Sequence, residues 1–224
     1  SCMEHFEHEL SVLKQRLLVM ASYAENAVNR AVEALRNRDD ALAQKVKEDD
    51  TVLDELEMEL DELAIGLLAQ APLASDLRLI TVAMKITQNL ERVGDEATKI
   101  AKRTRELNQE PPLKAASALP QLAERAVRML RNALDAFVSG NTAAARALVA
   151  EDKEVDALNR QILAELEAVM AESPQNIKRC LNLMVVSRSL ERVDDHAKNV
   201  AEEAVYLREA VDIRHSHPSA APPA

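Results

Sequence analysis

Tryptophan is absent from this 224-residue chain, aromatic residues make up 2% of it, and there are only three glycines and two cysteines. Each shortage closes off a class of protein. Strands draw on aromatic and β-branched side chains, whereas the apolar 47% here is carried by Ala, Leu and Val, which reads as helix. Stacking on bases needs aromatic platforms, and duplex binding needs an excess of Lys and Arg to release counterions. With 28 basic against 38 acidic residues and a net charge of −10, no direct nucleic-acid partner is expected. Cys2 and Cys180 show neither metal-ligand nor redox spacing, so a reducing, cytoplasmic setting without disulfides is expected. The longest uncharged run, Leu63 to Ser75, contains Pro72 and falls short of the roughly 20 residues a membrane helix needs. No secretory signal is read, and contact with a membrane is expected only through partners.

What the chain does have is an internal repeat. NLERVGDEATKIAK (Asn89–Lys102) matches SLERVDDHAKNVAE (Ser189–Glu202) at an offset of 100. Upstream, DDTVLD (Asp49–Asp54) matches EDKEVD (Glu151–Asp156), and AENAV (Ala24–Val28) matches AERAV (Ala123–Val127), at offsets of 102 and 99. A period this long marks a repeated supersecondary unit, and the drift falls where turns are expected. Breakers cut each half into three: NRDD at Asn37–Asp40, AQAP at Ala69–Pro72, QEPP at Gln109–Pro112, SGN at Ser139–Asn141 and ESP at Glu172–Pro174. Between them apolar residues recur three or four apart, as in Leu53, Leu56, Leu60, Leu63 and Leu67, the mark of amphipathic helices. Short connections make neighbouring helices antiparallel. The expected fold is all-α: two tandem three-helix bundles with six long helices, residues 4–107 and 114–209, followed by a disordered tail over 210–224.

Each repeat carries two acidic pairs at i,i+4: Asp50/Asp54 with Glu91/Asp95, and Asp152/Asp156 with Glu191/Asp195. On a helix this spacing puts both carboxylates on one face. Random placement of 38 acids in 224 residues would give roughly six such pairs, so a single pair signifies only a solvated face. These recur in register, however, and Asp50 and Asp152 interrupt an apolar stripe. A multivalent cation shared between two helices would offset the repulsion and desolvation that follow. All-carboxylate ligation suits iron, manganese, magnesium or calcium ahead of copper. The competing reading is that salt bridges from Arg92 and Arg192 neutralise the same acids.

The run APLASDLRLI (Ala71–Ile80), the LERVGDEA and LERVDDHA segments and VDIRH (Val211–His215) closely resemble the PhoU family, over essentially Glu4 to His215. The resemblance implies two similar three-helix bundles in a cytoplasmic, homodimeric, negative regulator of the phosphate-starvation response. It implies action with the Pst phosphate ABC transporter and the PhoR sensor kinase. Several family members carry iron or zinc clusters on E(D)xxxD motifs, which carries over to Asp50, Asp54, Glu91 and Asp95 in one half. In the other half it carries over to Asp152, Asp156, Glu191 and Asp195. Ser75 and Asp76 are expected to cap and charge the start of a helix after Pro72. Arg78 is expected to pair structurally ahead of binding a partner. Lys99 stands where many relatives have Asn, as the second repeat does at Asn199. His196, beside Asp195, is expected to border the second site and make the two sites inequivalent.

Three other readings come from the residues. A di-iron carboxylate enzyme would need Glu-x-x-His on two helices, and none of His5, His8, His196, His215 or His217 has Glu three residues before it. No Ser/His/Asp arrangement or Gly-rich phosphate loop appears, so a binding protein is expected rather than an enzyme. A metal-free helical scaffold remains open. Direct phosphate sensing would require a bridging metal, because carboxylates repel phosphate.

Overall fold

The computed structural model describes residues 1–70, 72–151 and 153–210. Among them there is no strand. Helices α1 (Cys2–Asn37), α2 (Asp40–Leu68) and α3 (Ala74–Leu107) form the first half. The second half holds α4 (Leu119–Ser139), α5 (Thr142–Ala150), α6 (Lys153–Glu172) and α7 (Ile177–Glu209), with a 3-10 turn at Pro174–Asn176 before α7. Helices α5 and α6 together take the place that α2 holds in the first half. Asp152, between them, lies outside the described residues, as do residues 211–224 with the expected tail and the VDIRH segment.

The breakers act through specific backbone chemistry. Helix α1 ends where Arg38 adopts left-handed φ 53°, and Asp39 then caps α2 by accepting from Leu42 N–H at 3.0 Å. The SGN turn repeats the device: Gly140 ends α4 at φ 68°, and Asn141 caps α5 through Ala144 N–H at 3.0 Å. The start of α3 departs from expectation. Leu73, extended after Pro72, is the N-cap and makes no side-chain cap bond, so Ser75 falls inside the first turn with Asp76. Proline fixes its own backbone and not that of Leu73 or Ala74, so nothing delays the helix to Ser75.

Helices α3 and α7 pack along each other through the middle of the molecule, and each carries the other helices of its own half. They run antiparallel, and the repeat sets matching buried positions on each: Ile86, Leu90, Val93, Ala97 and Ile100 on α3, and Val186, Leu190, Val193, Ala197 and Val200 on α7. The outer helices answer with small side chains. Ala24, Ala31 and Ala34 of α1 and Ala126 and Ala133 of α4 are fully enclosed, which lets helix axes approach closely. Leu13, Met20, Leu53, Leu60, Leu122 and Ile162 fill the space between. Each such large side chain, fully buried, contributes about 1.5–3 kcal/mol.

The α3–α7 seam is also polar. Arg103 Nη1 donates to Asn182 Oδ1 at 3.1 Å, Arg192 lies 3.6 Å from Glu96, and Lys85 lies 3.8 Å from Glu203. At the junction of the halves, Arg38 donates to the Glu110 carbonyl at 2.6 Å and Arg179 to the Pro111 carbonyl at 3.0 Å, tying the linker down.

Candidate metal centre

Helix α2 presents Asp50, Asp54, Glu57 and Asp61 at steps of four, three and four residues, so all four lie on one face. Helix α3 brings Glu91 and Asp95 to the same place. The approach depends on Gly94: a Cβ there would lie 2.5 Å from Leu53 Cδ1 and 3.2 Å from Asp50 Oδ1. Leu53 is buried, so it has little room to move aside. With hydrogen at position 94, α3 settles against α2, and carboxylate oxygens of Asp54, Glu57 and Glu91 all lie within 4.8 Å of one another.

The electrostatics record the crowding. Burial pushes Asp50 up from 3.8 to about 6, and the charges of Asp54 and Asp95 add to it. Burial likewise raises Glu91 to about 7, helped by the hydrogen bond its protonated form gives Asp95 and by the charges of Asp95, Glu57 and Asp54. Glu57 is raised by burial and by Asp61, Asp54 and Asp95. Asp50 Oδ1 is enclosed with no hydrogen-bond partner. Nearby arginines go to other acids: Arg30 to Asp49 at 3.0 Å, Arg16 to Glu59 at 2.9 Å, and Arg192 to Glu96 at 3.6 Å. These pairs bypass the cluster of the first half. An enclosed carboxylate oxygen without a donor, three carboxylates within 4.8 Å of one another and several acids with raised pKa values together fit a hard or borderline cation.

The second half is built differently. Asp156 and Asp195 are exposed and Glu191 is half-buried, with Glu191 and Asp195 engaged in interactions inside the chain. Asp194, fully buried, stands where α3 has Gly94. Asn159 stands where α2 has Glu57, and its buried Oδ1 accepts from Ser187 Oγ at 2.6 Å. His196 is turned to the seam: its Nδ1 lies 3.0 Å from Asn89 Oδ1 of α3, an oxygen that also accepts from Asn199 Nδ2 at 3.1 Å. Burial lowers its pKa, and the nearby Arg92 and Arg192 charges lower it further against the opposing pull of Glu96. It therefore belongs to the contact between halves. Arg78 packs over the Tyr206 ring, 6.0 Å from its centroid, where Lys85 also sits at 5.4 Å. Its role here is to hold α3 to α7.

Glu57 and Gly94 are the two positions of this cluster that the repeated motif does not mark. Glu57 carried a signal, lying three residues beyond Asp54 and seven beyond Asp50. Gly94 carried another, as one of only three glycines, set mid-helix where glycine is costly.

The sequence pattern of the PhoU domain matches twice, over residues 17–104 and 119–204, together more than half the chain and one match in each half. The chain belongs to the PhoU family. All the described acids of both clusters fall within the two PhoU matches. A protein of Pseudomonas aeruginosa named phosphate-specific transport system accessory protein PhoU homolog is 39% identical over 214 residues, covering 95% of this chain and 88% of that protein. Its namesake in Rhizobium meliloti is 40% identical over 207 residues, covering 92% and 87%. The crystal structure of PhoU from P. aeruginosa superposes with a TM-score of 0.89 at 38% identity, covering 92% of this chain and all of that one. The phosphate transport system regulatory protein PhoU from Streptococcus pneumoniae gives 0.84 at 25% identity, covering 93% and 99%. As in a PhoU fold read from sequence, the described residues are helical throughout their elements. None of these helices is long and apolar enough to cross a membrane.

Proposed function

We propose that this chain is a cytoplasmic, homodimeric regulator of phosphate transport, an adaptor between a Pst-type phosphate ABC transporter and a PhoR-type sensor kinase. It keeps the phosphate-starvation response off while phosphate is plentiful. The names of its relatives support a place in phosphate transport, and their title of accessory protein supports regulation rather than catalysis. It reaches the membrane through the transporter alone.

The observation that carries the metal part of this reading is the enclosed, undonated Asp50 Oδ1 beside the close trio of carboxylates. In the first half Asp50, Asp54, Glu91 and Asp95 would hold the ion; in the second, Asp152, Asp156, Glu191 and Asp195. The resemblance favours iron or zinc, and oxygen-only donors also admit manganese, magnesium or calcium. Once bound, a divalent cation would supply the positive charge that lets an acidic surface accept an anion such as phosphate. The chain's own residues hold the ion and, through α3 and α7, join its site to the contact between halves.

Deletion of the gene tests the regulatory part. A phosphate-starvation reporter should switch on in phosphate-rich medium, and a reporter that stays off in a strain without a second copy would overturn it.

A further inference from the structure

Glu57 lies outside the repeated acidic pairs, yet its carboxylate is one of the three whose oxygens gather within 4.8 Å. At the matching position of the second half stands Asn159, a neutral side chain whose oxygen is engaged by Ser187 at 2.6 Å. A hard cation takes several charged oxygens, so this exchange removes a ligand from one half only. A further feature of the first half fits a cation: Asp50 Oδ1, beside the trio, is enclosed without a donor. Gly94 lets α3 lie close against α2 at this point, whereas the matching position of the second half carries the buried side chain of Asp194.

We propose that Glu57 is a metal ligand peculiar to the first half, so that the two halves hold a divalent cation unequally, tightly between α2 and α3 and weakly between α6 and α7. The inference rests on the reading of these acids as metal sites.

Manganese(II) titrated into the full chain, purified without chelator, tests it by calorimetry and by the paramagnetic resonance signal of the free ion. Wild type should show two classes of site. Glu57→Gln should weaken the tighter class by at least about tenfold and leave the weaker one in place. Glu62→Gln, exposed on the same helix, should leave both unchanged, and circular dichroism should find all three proteins equally helical. If wild type takes up no manganese, the inference falls together with the metal reading. If wild type binds but Glu57→Gln gives the same isotherm, or loses only the weaker class, the role of Glu57 is refuted and the metal reading stands.

Discussion

The α2–α3 and α6–α7 pairs descend from one repeated pattern, yet the residues beside that pattern differ. In the first half a glycine lets the helices close on each other, and acids from both crowd together until Asp50 and Glu91 hold their protons above the usual carboxylate range. In the second, a carboxylate enters where the glycine was, and an amide replaces Glu57 and binds a serine. One half gathers like charges across two helices; the other sets a neutral amide and its serine partner at the equivalent point. Equal motifs in sequence do not make equal sites, because the residues beside a motif decide what surrounds it.

Gly94→Ala should break this contrast most severely. Alanine gains about 1 kcal/mol of helix propensity, but its Cβ would overlap the buried Leu53 side chain at 2.5 Å. Overpacking of an enclosed site costs about 1–3 kcal/mol, so the net result should be a loss of about 1 kcal/mol in urea unfolding. A variant as stable as wild type would mean that α2 and α3 are not held together at Gly94.

A pH series on metal-free protein sharpens the comparison next. Asp50 and Glu91 have folded pKa values raised above their ordinary 3.8 and 4.5, so protonation favours the folded state. Their contribution is fully present below their ordinary values of 3.8 and 4.5 and is lost as pH rises to about 6 for Asp50 and about 7 for Glu91. Asp50→Asn should therefore be more stable than wild type at pH 7.5, and the difference should shrink towards pH 5. An Asp50→Asn variant with the same stability as wild type at every pH would count against the crowding of charge in the first half.

Smallest is the effect expected at the seam. Arg78→Ala removes one cation from the Tyr206 ring while Lys85 remains, so about 0.5 kcal/mol should be lost, with metal uptake unchanged. Altered metal binding in that variant would mean that Arg78 acts on the acid cluster.

The helices and their ends were legible in the sequence because each rests on a local signal: apolar spacing for the buried faces, Arg38-Asp39 and Gly140-Asn141 for the turns. The in-register acids were legible for the same reason. What escaped were facts fixed only by the approach of one helix to another. Glu57 reads as one more acid on an acidic helix until α3 brings Glu91 to it. His196 sits next to Asp195 in the chain, but successive helical residues point about 100° apart, and that turn delivers it to Asn89 across the seam. Ser75 carries a good cap residue in a place where the helix has already begun.

The pairing of Lys85 with Glu203 has a bearing on ancestry. Shifted by the repeat, Glu203 corresponds to Arg103, so joining two copies of the first half through α3 would set Lys85 against Arg103 and repel. Arg192 finds Glu96 across the seam, whereas the equivalent Arg92 finds His196 in place of an acid. Two copies of the first half would keep an Arg92–Glu96 attraction but lose the one at Lys85. At that end of the seam, change after duplication has given the two bundles a contact that neither could make with its own copy.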